Sequence, residues 1–180
     1  MGTAIRYTSF PSTEPPPDFI PRIVETFIRH EAQISTIDLT KGLTSDRVLA
    51  VLAEDLKVLG FQIETAKTNA GKIDRPVLFG ENGVPIRRYQ IDGYHSDWQC
   101  ALEVEAGRAW LGNAIYRDLF QAAVMVGVQH LCLAVSNRYV FQSGGKPTFS
   151  HDYDNTISVA ETLYSHTRLK LPYGLTIIGY

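Results

Sequence analysis

From His130 to Ser136 the chain reads HLCLAVS, an apolar run with no polar alternation. A half-exposed strand alternates polar and apolar residues. A short run without alternation is the pattern of a strand covered on both faces. It follows GNAIYRDLFQAAVMVG, an amphipathic stretch predicted as a helix from about 113 to 127 and ending at Gly127. A helical crossover into a doubly buried strand requires a mixed sheet with helices packed on both sides.

The rest of the chain agrees with an α/β fold. DFIPRIVETFIRHEAQIS, Asp18 to Ser35, has helical spacing with Asp18 as cap and Pro21 in the first turn. A second helix is capped by Thr44 or Ser45, carries Val48, Leu49, Val51, Leu52, Leu56 and Leu59 as its apolar residues, and ends at Gly60. FQIETAK (61 to 67), PIRRYQIDGYH and WQCALEVEA read as strands, with VLFG as a short additional one. NTISVAETLYSHT is a last helix and YGLTIIGY a last strand, while residues 137 to 153 read as a long polar loop. Residues 1–17, ending in PSTEPPP, are expected as an extended or poorly ordered arm, with 18–180 as one domain.

Composition narrows the function classes. A chain of 180 residues with 44% hydrophobic content can bury a core, and its net charge of −2 supplies no global basic field. Cys100 and Cys132 each lie in an apolar strand run, so they are expected as buried small residues rather than a disulfide or zinc site. The first residues carry no signal-peptide pattern, and AAVMVGVQHLCLAV is too short to span a bilayer. The expectation is a soluble cytoplasmic protein.

Against this ordinary background, the acids in RRYQIDGYHSDWQCALEVEAGRAW stand out. Residues two apart on a strand share a face, so Glu103 and Glu105 point one way and Cys100, Leu102 and Val104 the other. The apolar side needs a helix against it, and the two glutamates repel each other unless a cation intervenes. Asp92 ends YQID on the preceding strand, where an antiparallel partner brings it beside Glu103. Three converging carboxylates form a hard-oxygen site suited to Mg²⁺ or Mn²⁺. The spacing alone equally fits a charge network in which Arg87, Arg88, Arg108 and Arg117 neutralise the acids. A two-carboxylate glycosidase is a weaker fit, because no aromatic-rich cleft accompanies the pair.

IDGYHSDWQCALEVEAG resembles the D-x(n)-E-x-E variant of the PD-(D/E)XK nuclease signature found in some type II restriction endonucleases. The order helix, strand meander, helix, strand also resembles that superfamily's core, across roughly residues 45 to 136. NAIYRDLFQAAVMVG is similar to the segment that follows the catalytic strand in restriction-type relatives. Two positions depart from the commonest pattern: Ile91 precedes the aspartate where proline is usual, and Glu105 stands where lysine is usual.

The resemblance implies a restriction-endonuclease-like mixed central sheet flanked by helices, with an extra N-terminal helix. It implies Asp92, Glu103 and the Val104 backbone carbonyl as ligands of Mg²⁺ (or Mn²⁺), and Glu105 as the group that orients or deprotonates water. An upstream helical acid joins many such sites; the candidates are Glu54, Glu25 and Glu31. Double-stranded DNA is the implied partner, with phosphates met by Arg87, Arg88, Arg108, Arg117, Arg138 and Lys146, and a homodimer is implied for cutting both strands. Tyr139, Gln142 and His151 in the 137–153 stretch also suit groove or backbone contacts. His95 and His151 are more simply read as hydrogen-bonded structural groups than as bases. Two other roles fit the same residues: a catalytically inactive binding or assembly module, and a structure-selective repair or junction nuclease.

Overall fold

The computed structural model of the chain describes residues 2–37, 42–65, 71–107, 109–110 and 112–180. In chain order its elements are β1 (Arg6–Phe10), α1 (Ile20–Arg29), the short α2 (Glu31–Ile34), α3 (Ser45–Leu59), β2 (Gln62–Ile63), β3 (Ile73–Phe79), β4 (Pro85–Ile91) and β5 (Gly93–His95). There follow β6 (Cys100–Glu105), α4 (Ala114–Val124), β7 (His130–Val135), β8 (Tyr139–Ser143), β9 (Lys146–Ser150), α5 (Asp152–Ser165) and β10 (Gly174–Gly179). The main sheet has six strands in the order β1-β10-β7-β6-β5-β2, and two-stranded ribbons form from β3–β4 and β8–β9. Strands β6, β7 and β10 run parallel, and antiparallel strands complete both edges.

Strand β7 lies between β10 and β6, and all six of its residues are buried. Its side chains divide between two cores. Cys132 and Ala134 join Leu102, Val104 and Ile178 beneath α1 and α3, where Ile23, Phe27, Leu52 and Leu56 pack. Leu131, Leu133 and Val135 join Ala101, Leu175 and Ile177 beneath α4 and α5, which contribute Ile115, Leu119, Ala122 and Ala160. Each fully buried aliphatic side chain of this kind contributes about 1.5–3 kcal/mol relative to exposure. Cys100 and Cys132 are buried free thiols with their sulfurs 3.7 Å apart.

Helix α3 starts at its expected cap, Thr44, and stops at Gly60. Gly60 is left-handed (φ 108°), and its N–H closes the last turn onto Leu56 and Lys57 carbonyls. A Cβ at that position would lie 2.7 Å from His95 Nε2, so both backbone and packing require glycine. Helix α1 has Pro21 in its first turn as expected, with its cap at Phe19 rather than Asp18.

Five segments differ from the sequence reading. Residues 6–10 of the N-terminal arm are β1, paired antiparallel with β10 from Arg6↔Gly179 to Phe10↔Leu175. The single strand expected over 85–95 is broken at Asp92: β4 belongs to the ribbon with β3, and β5 to the main sheet. Residues 137–153 are mostly the β8–β9 hairpin, turned by Gly144 and Gly145, both at positive φ. Helix α4 ends at Val124 rather than Gly127, because Met125 is already extended. The strand expected over 61–67 is Gln62–Ile63 in the structure, and residues 66 and 67 lie outside the described residues. No helix among the described residues is long and apolar enough to cross a membrane.

Candidate active site

The break at Asp92 follows from its hydrogen bonding. Pairing of β5 with β6 runs from His95↔Cys100 to Gly93↔Leu102, and one further step sets Asp92 opposite Glu103. The Asp92 carboxylate occupies that rung, its Oδ2 accepting the Val104 N–H at 2.8 Å. Its backbone carbonyl accepts the Glu64 N–H at 2.8 Å, tying the end of β2 to the same point. The side chain that breaks the strand thus substitutes for the strand's next backbone contact.

Glu103 and Glu105 project from β6 on the face opposite Leu102 and Val104, as alternation requires. Helix α4 lies over that face and adds two ionisable groups, Arg117 and Asp118. Arg117 Nη2 reaches Glu105 at 2.6 Å, and its Nε donates to Asp118 Oδ1 at 2.8 Å. A cavity of about 600 Å³ opens here, bordered by Asp92, Glu103, Arg117 and Asp118, with Asp46, Glu64, Lys72, Asp74, Arg88 and Gln121 around them.

The electrostatics are those of crowded, dehydrated carboxylates. Burial, opposed by the Val104 hydrogen bond and reinforced by Glu64 and Glu105, pushes Asp92 up to about 6. Burial raises Glu103 well above the usual carboxylate range, and the charges of Asp92 and Asp118 add to it. Asp118 is raised to about 7, mainly by burial, despite the hydrogen bond and charge of Arg117. Burial works to lower Arg117, but its hydrogen bond to Asp118 and the charges of Asp118, Glu105 and Glu103 outweigh it, so the guanidinium is raised.

These residues fit a hard divalent cation by the chemistry of their donors: buried carboxylate oxygens carrying more negative charge than one arginine balances. Asp118 Oδ2 has no hydrogen-bond partner at all. Among the described residues, no trio of His, Cys, Asp or Glu side chains is already gathered as a ligand set. Two carboxylates, a backbone carbonyl and waters are nevertheless a sufficient Mg²⁺ shell.

The other sequence candidates lie apart from this cluster. Glu54 is 85% exposed and paired with Lys57 at 2.8 Å. Glu25 lies 3.8 Å from Arg29 on the surface of α1, and Glu31 accepts from Thr3 Oγ1 and the Ala4 N–H. None of the three borders the cavity, whereas Asp46, at the start of α3, does. Arg87 and Arg88 lie exposed on β4, and Arg88 borders the cavity. Arg138 is held by the Thr36 hydroxyl and the Ile37 carbonyl and lies over the Phe149 ring. Lys146 is exposed at the start of β9, and Arg108 lies outside the described residues. His95 is structural, stacked on Trp98 and bonded to the Leu59 carbonyl. His151 lies outside the cavity, stacked edge-on against Phe149.

Asp118 was absent from the sequence candidates, yet its spacing carried a signal. It is three residues from Ile115 and four from Ala122, on the buried stripe of α4, where an acid is exceptional.

The fold is similar to that of BglII. A solved structure described as "Crystal structure of restriction endonuclease BGLII complexed with DNA 16-mer" matches over 97% of this chain and 75% of that one, with TM-score 0.54 and 13% identity. A structure of free BglII also matches, with TM-score 0.45, 13% identity and coverage of 97% and 78%. No curated protein matches the chain. A family model described as "Putative halobacteria restriction endonuclease" matches residues 6–180, which includes β1 and every later element. The chain belongs to this halobacterial restriction endonuclease family.

Proposed function

We propose that the chain is a Mg²⁺- or Mn²⁺-dependent DNA endonuclease of restriction type, cutting duplex DNA as a homodimer in the cytoplasm. The observation that carries this reading is the pair of buried carboxylates, Asp92 and Glu103, set opposite each other where β5 and β6 part. The family and the BglII-like fold supply its context. Asp92, Glu103 and the Val104 carbonyl would hold the cation. When bound, the cation supplies Lewis-acid polarisation of the phosphate and charge stabilisation on the leaving oxygen. Glu105, fixed by Arg117, orients the attacking water and accepts its proton as the phosphorus–oxygen bond to the leaving group breaks. Lys72, Arg88 and Arg117 border the cavity and are suited to phosphate, with Arg87, Arg108, Arg138 and Lys146 extending the basic contacts.

The test is supercoiled plasmid incubated with the protein and Mg²⁺, with and without EDTA, against a Glu103→Ala control. Metal-dependent nicking or linearisation by wild type alone is expected; equal products from the control would end the nuclease reading. A second reading, a nuclease-fold binding module, draws support from Arg117, which ties Glu105 and Asp118 into a structural ion network. It predicts DNA retention without cleavage in the same assay. Fragment pattern separates the remaining role: discrete bands accompany sequence recognition, and junction-selective cutting accompanies repair.

Helix α4 supports the homodimer. Its outer face shows Tyr116, Phe120 and Val124 at successive helical turns, and Phe120 is 64% exposed. Burying such a stripe on a second copy would bring the two sites into one assembly. Phe120→Glu is expected to shift sedimentation from dimer to monomer and to convert linearisation into nicking. An unchanged dimer would remove α4 as the interface.

A further inference from the structure

We propose that Asp118 supplies a third carboxylate to the divalent cation held by Asp92 and Glu103, delivered from α4 rather than from an upstream helix. This rests on the reading of the cavity as a cation site. Asp118 lacks a partner for one of its two carboxylate oxygens. Its side chain is 1% exposed, its Oδ1 is covered by Arg117, and its Oδ2 is shielded from solvent with no hydrogen-bond donor. Buried polar atoms are nearly always satisfied, and an unsatisfied carboxylate oxygen is among the costliest exceptions.

Among the described residues, no donor reaches Asp118 Oδ2. Arg117 is already engaged by Glu105 and by Asp118 Oδ1. The other groups acting on Asp118 are the carboxylates of Glu105 and Asp92, while Glu103 in turn feels its charge. Ionised carboxylates accept and do not donate. A cation in the cavity that Asp118 borders would satisfy Oδ2 and relieve the repulsion among these acids together.

The geometry also explains why α4 carries an acid on its buried stripe. Ile115, Leu119 and Ala122 fasten the helix to the sheet, which fixes Asp118 over β6. A ligand on a packed helix is held more rigidly than one on a loop.

The experiment measures Mn²⁺ binding to the full chain by calorimetry and by the electron paramagnetic resonance of unbound Mn²⁺. Wild type is compared with Asp118→Asn, Asp92→Asn and Glu103→Gln. Asp118→Asn keeps the side chain's shape and is expected to weaken Mn²⁺ roughly 10- to 100-fold, while its melting temperature in EDTA equals or exceeds that of wild type. Wild-type affinity in Asp118→Asn, with binding lost in the other two variants, overturns the assignment of Asp118 and leaves the cation site intact. No Mn²⁺ binding by wild type overturns both. If Asp118→Asn fails to fold, the wild-type carboxyl ¹³C resonances decide: Mg²⁺ is expected to move that of Asp118 along with that of Asp92, and a response from Asp92 alone overturns the proposal.

Discussion

Glu103→Gln is expected to reduce Mg²⁺-dependent cleavage roughly a thousandfold, equivalent to about 4 kcal/mol of transition-state stabilisation, while leaving the protein folded. Glutamine keeps the volume of the side chain and removes the charge. The loss is therefore one of chemistry rather than packing, and melting temperature and near-ultraviolet circular dichroism should stay at wild-type values or better. Asp92→Asn should behave alike, because its amide oxygen can still accept the Val104 N–H and keep β5 and β6 in register. Glu105→Gln is expected to cost less, since Arg117 retains its second partner, Asp118. Initial rates of plasmid nicking under saturating Mg²⁺ rank the three variants. Cleavage by Glu103→Gln within tenfold of wild type would show that this carboxylate is not part of the chemistry.

The sheet centre was legible in the sequence because burial leaves an unambiguous pattern there. An apolar β7 and an alternating β6 place Leu102 and Val104 against α1 and α3, and the acids against α4. What stayed hidden depended on pairing, which local pattern does not encode. Nothing in YQIDGYH states that residues before Asp92 pair with β3 and residues after it with β6. Strand β1 was obscured by its position beside a proline-rich stretch, and its edge place asks little apolar content of it. The β8–β9 hairpin did carry a signal: a Gly-Gly pair between YVFQS and KPTFS, with both glycines at positive φ. Its half-exposed composition is equally that of a loop. Asp118 was hidden for another reason, since acids on helices ordinarily belong to the solvent face.

The acidic cluster also sets the direction in which the protein responds to pH. Asp92 is raised to about 6, Asp118 to about 7, and Glu103 well above its usual range, each with burial as the first cause. In the unfolded chain these groups titrate near 4. Above that pH the folded state therefore holds more protons than the unfolded state, and stability declines as pH rises through the folded values. Moving Asp92 alone from 3.8 to about 6 costs the folded, ionised site on the order of 3 kcal/mol. His130 opposes this at lower pH: burial depresses it to about 4, so its contribution grows as pH rises from 4 toward 6.5. Between about pH 6.5 and 8.5 the His130 contribution is complete, while the carboxylates raised furthest, Asp118 and Glu103, are still losing theirs. There, in EDTA, the wild-type melting temperature should fall with pH, and Glu103→Gln should flatten the slope. Mg²⁺ should restore more stability at pH 8.5 than at 6.5, because a cation binds the ionised cluster that burial disfavours. Melting curves in EDTA that are flat or rise across this window would mean that the acids are balanced within the protein, with no charge left for a metal to neutralise.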